Sequence, residues 1–434
     1  MASKSIPDDI YDTVVIGSGP SGLACACILG KLGQKVLVLE QHDRAGGSLH
    51  TFQLGGYTFS SGKHYVGEID QDTQSILRAC GSSAKASGED VIETYIATDT
   101  NLHMEMTARS WDSSCKRDII RMADHMWWIA VIKLVPWWIA RIMWVIVCTV
   151  FADSFIPYDV WMSRRANGGW WNMQKGDIGC DSIAMVHAAV ARHYMGISTL
   201  NNFVYNSCKT IRRQGGRVVI GHRVENIFQN QGVITNGQFI RCTHVISSIG
   251  AKQTCNLIKL PNLERVCKRI GQSVRHHFTF IGINADKKSI GLPTGVIWIK
   301  DHIYMFISAE EKNHKTAVHL ISEHHDMLPT FYKHFPLAKK YVEHVETATH
   351  HSVKRYLGRH SSYGLSCQPS RFNSFEHVRT LSPKTEAQNV WLTGQDILMP
   401  GIVSALHSAV MTCRQVQGIT LLDTLRKRDI MDRL

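Results

Sequence analysis

A chain of 434 residues with 44% hydrophobic and 19% charged residues can bury a large core in one to three domains and is too apolar to be disordered. Its twelve cysteines are too dilute for a disulfide scaffold and contain no C-x-x-C, which predicts buried free thiols in a reducing compartment. The net charge of +12 is spread without a basic block or nucleic-acid motif. That sets nucleic acid aside and leaves an anionic membrane surface or an acidic ligand.

The opening "MASKSIPDDI" has no apolar run, so no secretory signal is expected. Val14, Val15 and Ile16 then read as a buried parallel strand. Gly17, Gly19 and Gly22 follow as G-x-G-x-x-G, a helical apolar pattern runs to Leu29, and "KVLVLE" is a second strand ending in Glu40. Gly17 permits the tight turn, Gly19 lets backbone approach a pyrophosphate, and Gly22 lets the helix pack closely on the strand. The helix N-terminus offers N–H groups to phosphate, and Glu40 can accept from a ribose. The strand–turn–helix–strand context makes this a dinucleotide site rather than a chance glycine run. Next, "HDRAGGSLHTF" carries Arg44, Gly46 and Gly47. This R-x-G-G pattern resembles the flavoprotein family of amine oxidases and phytoene desaturases. The resemblance implies FAD, with Gly46 and Gly47 bringing backbone beside the isoalloxazine. No second fingerprint occurs, so the sequence offers one dinucleotide site and names no electron donor.

The stretch from Glu68 to Arg121 is polar and short for such a family. "MWWIAVIKLVPWWIARIMWVIVC", Met126 to Cys148, holds five of the chain's eleven tryptophans. It is long enough to span a bilayer, but Lys133, Pro136 and Arg141 interrupt it. A central Lys or Arg costs about 2.5–3.5 kcal/mol on insertion, and proline breaks the helix. Spanning and core lining stay open. The favoured reading is a helix pair in the headgroup zone over 126–151, with its basic residues snorkelling to phosphate. Further on, "HYMG" (His193 to Gly196) leads into "ISTLNN" without the glycine platform of the family. "GGRVVIGHRVENI" and "HVISSIGA" read as strands that return to the nucleotide domain, with Asn236-Gly237 as a tight turn between them. "HKTAVHLISEHH" has no standard zinc spacing, so no metal is expected and a solvated strand or loop is the reading. "VWLTGQD" is a strand reaching Gly394 and Asp396. "PGIVSALHSAVMT" starts a helix whose Gly401, Ile402 and Val403 N–H groups can meet an anionic flavin edge.

"GGSLHTFQLGGYTFSSGKHYVG" and "SSYGLSCQPSRF" through "LTGQDILMPGIVSALHSAVMT" together resemble the retinol saturase and carotenoid cis–trans isomerase branch of the phytoene-desaturase-like flavoproteins. The resemblance covers 11–68 and 355–420 strongly and 130–255 weakly. It implies that His64 and Tyr65 lie by the flavin face as candidates for the proton donor, with His193 and Tyr194 weaker. It further implies that Val224 gives backbone contacts on the adenine side and that Asp396 bonds the ribityl hydroxyls.

The expected fold is α/β. A discontinuous FAD-binding Rossmann-like domain (8–66, 203–260 and 365–434) carries an inserted α+β substrate domain (67–202 and 261–364) with the interfacial segment 126–151. The expected activity is FAD-dependent reduction of a carbon–carbon double bond in a retinoid or carotenoid-like polyene. The alternatives are redox-neutral isomerisation and a non-catalytic flavin-fold protein. A lipophilic substrate and a membrane surface are the expected partners. The expected location is intracellular and membrane-associated, with the endoplasmic reticulum one candidate.

Overall fold

The computed structural model describes residues 6, 10–62, 69–86, 93–97, 102–106, 127–150, 198–200, 202–293, 295–301, 303–359, 361, 363–367, 369–419 and 430–431. The chain opens with β1 (Tyr11–Ile16), α1 (Pro20–Lys31) and β2 (Val36–Glu40). A hairpin of β3 (Thr51–Leu54) and β4 (Tyr57–Ser60) follows, then α2 (Gln71–Ala79), β5 (Ala84–Ala86), β6 (Glu93–Ala97) and β7 (Leu102–Met106). Helix α3 covers residues 127–134 and α4 is Trp137–Val150, with the break at Val135 and Pro136. Next come β8 (Ser198–Leu200), α5 (Phe203–Arg213), β9 (Arg217–Ile220), β10 (Val224–Phe228), β11 (Gly232–Thr235) and β12 (Gln238–Ser247). They are followed by α6 (Ala251–Cys255), α7 (Pro261–Ile270), β13 (His277–Ile283), β14 (Val296–Lys300), β15 (Tyr304–Lys312) and β16 (Lys315–Ser322). The remainder is α8 (Leu328–His334), β17 (Val342–Ala348), α9 (His350–Leu357), α10 (Pro369–Phe372), α11 (Phe375–Thr380), β18 (Val390–Leu392) and α12 (Ile402–Val416).

Two sheets organise these elements. In the first, β9, β2, β1, β12 and β18 run parallel in that order. Every residue of β2 is buried, as expected of a parallel strand covered on both faces. The first half of β12 pairs antiparallel with β11, which pairs with β10. Asn236 and Gly237 turn that corner with φ of 48° and 73°, the doubly positive turn that suits the strand twist. Helices α1, α2, α5 and α12 share one apolar cluster with this sheet, and α7 closes a second.

The second sheet has the order β17-β13-β16-β15-β14-β6-β7 and its own core under α8. The expected α+β insertion is therefore present, but three of its boundaries move. Helices α2 and α7 were expected in the substrate domain and instead pack in the nucleotide-domain core. The β3–β4 hairpin, expected with the nucleotide domain, lies on the second sheet. Phe52 stands edge-on to Phe280 at 5.0 Å, and Phe59 packs on Phe280 and His319. Gly282 makes room for it, since a Cβ there would meet the Tyr57 ring at 2.6 Å. Strand β16 is also not solvated as expected: all but its first residue is buried, His319 included. Apolar surroundings on both faces outweigh the polar spacing of that stretch.

The tryptophan segment forms the expected helix pair, broken at Pro136, and no helix among the described residues is long and apolar enough to cross a membrane. Its polar residues do something unexpected. Lys133 is buried rather than snorkelling, and its ammonium donates to the carbonyls of Val378 (2.7 Å) and Leu381 at the end of α11. Arg379 of α11 donates back to the carbonyls of Ile132 (2.6 Å) and Val135 (2.9 Å) at the end of α3. Each helix thus has its C-terminal carbonyls capped by a cation from the other. Burial, reinforced by the Arg371 and Arg379 charges, pushes the Lys133 amine well below its usual range. Ile129, Ile132, Val135, Ala140 and Val147 pack on Val378 beneath this clasp. The pair therefore sits on the nucleotide domain, not on the substrate sheet. Its outer face is bare: Trp127, Trp128, Trp137 and Trp138 are 37–63% exposed, beside exposed Ile142, Val145, Ile146 and Val150.

The buried His319 makes the seam between hairpin and second sheet acid-sensitive. Burial pulls its imidazole down to about 4, so the folded state holds it neutral while the unfolded chain protonates near 6.5. Its contribution to stability is present above pH 6.5 and lost as pH falls toward 4. Between pH 7.5 and 5 the chain is expected to lose about 2 kcal/mol more than His319→Leu loses over the same range. Denaturant titration at the two pH values measures that difference, and equal losses would contradict a neutral buried His319.

Candidate dinucleotide site

The site begins where β1 gives way to α1. Gly17 turns the chain at φ 92°, and a Cβ there would meet Ser248 at 2.7 Å. Gly22 faces back across the turn, where a Cβ would stand 2.3 Å from the Gly17 carbonyl. A side chain at Gly22 would force the Gly17 backbone to shift, which is the close helix–strand packing its place in the fingerprint demands. Gly19 differs. It is the N-cap of α1, takes no side-chain cap, and a Cβ built on it meets nothing within 4 Å. The space above Gly19 is open and edged by a helix N-terminus, the arrangement that suits a pyrophosphate.

Glu40 ties three segments together. Its Oε2 accepts from both the Ser18 N–H (2.9 Å) and the Ser18 hydroxyl (2.5 Å), and its Oε1 accepts from the His42 N–H (3.0 Å). The same Ser18 Oγ accepts the Gly46 N–H at 3.0 Å. A carboxylate offers about four acceptor positions; with three taken by protein donors, one remains for the ribose expected here. Gly46 and Gly47 have φ of 125° and 54°, and a Cβ on Gly47 would lie 3.0 Å from the Gly19 Cα. The two glycine loops are thus in van der Waals contact, the second folded over the first. Arg44 beside them is exposed and makes no hydrogen bond or ion pair among the described residues. On the side expected to hold adenine, His222 N–H donates to the Glu40 carbonyl at 2.8 Å, which brings Val224, two residues on, to the same sheet end.

The C-terminal block arrives at this place through β18. Thr393 N–H bonds the Ser247 carbonyl, and a Cβ on Gly394 would stand 3.2 Å from Ser21 in the first turn of α1. Gly401, at φ 114°, caps α12 without a side-chain bond, and a Cβ there also meets nothing within 4 Å. Ile402 is half-buried and Val403 turns inward. Two glycine-capped helix N-termini, at Gly19 and Gly401, therefore open on unfilled space. Asp396, expected to serve ribityl hydroxyls, gives two of its about four acceptor positions to backbone donors. Oδ2 accepts the Ala251 N–H at 2.9 Å and Oδ1 the Leu365 N–H at 3.0 Å, with the side chain buried.

Two residues that the sequence reading passed over hold the site together. Ser248 donates to the carbonyl of Ile16 at 2.8 Å and contacts that of Gly17 at 3.0 Å, fixing the first turn. Arg371, 2% exposed, donates to the carbonyls of Leu365, Gln395, Asp396 and Leu398 and so shapes the turn after β18. A serine after a strand and an arginine in "QPSRF" carry no local signal of such roles. His64 and Tyr65, the expected proton donors, lie outside the described residues, as do His193, Tyr194, Gly196 and Ile197, while Ser198–Leu200 form β8 and pair with β5. Among the described residues no cluster of three metal-ligating side chains occurs.

The contrast between Gly19 and Gly22 is testable. Gly19→Ala is expected to keep wild-type stability while weakening FAD binding at least about tenfold, because the methyl group fills the space left for phosphate. Gly22→Ala is expected to cost about 1–3 kcal/mol of stability through overpacking. Melting curves and FAD titrations separate the two. Unchanged FAD affinity in Gly19→Ala would show that the open space is not the pyrophosphate seat.

Comparison with known proteins agrees with this geometry. Residues 15–79 match a family described as an NAD(P)-binding Rossmann-like domain. All-trans-retinol 13,14-reductase of Danio rerio is 24% identical, with 96% of this chain and 87% of that protein covered. That alignment runs over 534 positions, 100 more than this chain has residues. A second Danio rerio protein, an inactive all-trans-retinol 13,14-reductase, is 24% identical over 78% of this chain and 64% of its own length. Among solved structures, a putrescine oxidase variant superposes with a TM-score of 0.70 at 14% identity, covering 95% of this chain and all of that one. The chain is thus similar to the Danio rerio all-trans-retinol 13,14-reductase along almost its whole length, and its fold is shared with putrescine oxidase.

Proposed function

We propose that this chain is an FAD-dependent oxidoreductase that reduces a carbon–carbon double bond of a retinoid or carotenoid-like polyene. The observation that carries the reading is the open, glycine-capped N-terminus of α1 at Gly19 beside the Glu40–Ser18 bonds, with a second glycine-capped N-terminus at Gly401 on α12, a helix that packs on α1. It is supported by the likeness to a retinol 13,14-reductase over 96% of the chain. Gly17, Gly19 and Gly22 seat the pyrophosphate, Glu40 takes the ribose, and Arg44, Gly46 and Gly47 close over the flavin side. Gly401, Ile402 and Val403 present N–H groups to the flavin's electron-accepting edge, where a positive helix end favours negative charge.

When bound, FAD supplies hydride chemistry at the carbon–carbon bond. The chain must add a proton to the neighbouring carbon and keep water out. His64 and Tyr65 are the proposed proton donors. The exposed face of α3 and α4 is the proposed contact with membrane, where the substrate is dissolved. Arg141 stands over the Trp137 and Phe375 rings there and keeps its charge available to lipid phosphate. The net charge of +12 favours an anionic surface, and the endoplasmic reticulum is the proposed compartment. A second reading, a flavin-fold protein without catalysis, draws support from the likeness to an inactive relative.

With a reduced-flavin donor and all-trans-retinol, the expected product is heavier by two hydrogens, and His64→Ala is expected to lower its rate about 10²–10⁴-fold while FAD stays bound. An isomer of unchanged mass would favour isomerisation. Bound FAD with no conversion of any polyene would favour the non-catalytic reading. For the membrane contact, replacing Trp127, Trp128, Trp137 and Trp138 by serine is expected to reduce co-sedimentation with anionic vesicles at least about tenfold. Unchanged sedimentation would refute that contact.

A further inference from the structure

His-His doublets occur in the sequence at His276–His277, His324–His325 and His350–His351. The topology of the second sheet brings them to one end. His277 opens β13 and pairs with Ser322, the last residue of β16, while Phe278 pairs with Ala348, the last residue of β17. The second doublet follows β16, and the third opens α9 directly after β17. The centre of the His277 ring stands 5.5 Å from that of His350, edge-on, and 6.1 Å from that of His325, while His350 and His351 are 4.1 Å apart. His324 is close enough for its charge to act on His277. His276, next in the chain, packs instead on Tyr363 at 5.3 Å. Five imidazoles from three chain segments thus form one cluster.

The surrounding charges do little to offset protons added there. Arg275, just before β13, acts on His350 with the same sign. Glu323, which interacts with His324, and Asp326 flank the β16 doublet, and both are exposed. Glu346 of β17 pairs with Phe280 and so lies on the opposite face of the sheet from His277. The first turn of α9 has no acidic residue, and Lys354 and Arg355 follow in its last turn. The His277 Nδ1 is buried without a hydrogen-bond partner among the described residues, so no acceptor is in place for a proton on it.

We propose that these five imidazoles form an acid-operated latch, which holds α9 on the end of the second sheet while they are neutral and releases it when they take up protons. Like charges at such separations repel, and cations in the first turn of a helix oppose its dipole. Burial and then the charges of His350, His325, His324 and His351 hold the His277 imidazole below its usual range, and desolvation, His351 and Arg275 do the same to His350. The folded state keeps these rings neutral where the unfolded chain protonates near about 6.5, so their stabilisation is present above that pH and is lost as pH falls below it. Helix α9 runs directly into Gly358, whose carbonyl accepts Gln253 Nε2 at 3.4 Å. Arg359 follows, and a Cβ on Gly250 would lie 2.8 Å from its guanidinium and 3.1 Å from the Asp396 carboxylate. Release of α9 therefore loosens the segment that joins the second sheet to the turn after β18.

The test is amide hydrogen exchange of the full chain, read by mass spectrometry and corrected for the intrinsic pH dependence of exchange. Between about pH 7.5 and about pH 5.5, corrected exchange over α9 is expected to rise at least about tenfold more than that over β16 or α7. Strand β16 carries His319, so acid weakening of the hairpin seam would appear there and is told apart from release of α9. A chain with His277→Gln, His350→Gln and His351→Gln is expected to keep α9 protected at both pH values. In the unsubstituted chain, about 1 M NaCl is expected to cut the acid-driven rise at least about twofold by screening the charges. Exchange over α9 that rises no more than that over β16, a triple variant that keeps the full rise, or a rise unmoved by salt would overturn the latch. The comparison with β16 and the salt measurement use the unsubstituted chain, so they stand even where the triple variant fails to fold.

Discussion

The buried carboxylate of Glu40 is the interaction on which the site depends. It receives the backbone and hydroxyl of Ser18 from one loop and the backbone of His42 from its own strand end, while Ser18 in turn receives Gly46. Charge-assisted bonds to a carboxylate are stronger than neutral ones, and here they are sheltered from water. They set the spacing of the two glycine loops, so that Gly47 rests on Gly19 and the space above Gly19 stays open. A residue of the glycine-rich fingerprint thus builds the loops that border the open space above Gly19.

A second set of buried polar contacts fixes how the remaining parts join that centre. Arg371 gathers the carbonyls around Asp396, and Asp396 gathers the amides of α6 and of Leu365. The turn after β18 is thereby fastened to both neighbours before α12 begins. Lys133 and Arg379 fasten the apolar helix pair by capping each other's helices. Breaking either contact would strand buried carbonyls at a cost of about 1–3 kcal/mol each. The tryptophan face is therefore carried on a rigid mount over the nucleotide domain.

The β3–β4 hairpin meets the second sheet through side chains rather than backbone pairing. Phe52, Phe59 and Phe280 form the seam with His319, and Gly282 admits the Tyr57 ring. The hairpin that bears these rings leaves the nucleotide domain directly after the Gly46–Gly47 loop. The loop that rests on Gly19 and the hairpin that packs on the second sheet are one continuous stretch.

The sequence by itself determined the features whose physics is local. Glycines at Gly17, Gly46 and Gly401 were legible because left-handed backbone excludes other residues. The strand–turn–helix–strand order, the Asn236–Gly237 turn and the break at Pro136 were legible because short-range sterics decide them. Periodicity could not assign α2 and α7 to a domain, because an amphipathic helix shows that it has a buried face but not what covers it. Nor could it tell that Lys133 caps a helix some 245 residues away instead of reaching for lipid, or that His319 is buried. Asp396, Ser248 and Arg371 belong to the same class. Their roles depend on which backbone donors and acceptors the fold leaves unpaired at long range, and only the tertiary structure brings those groups together.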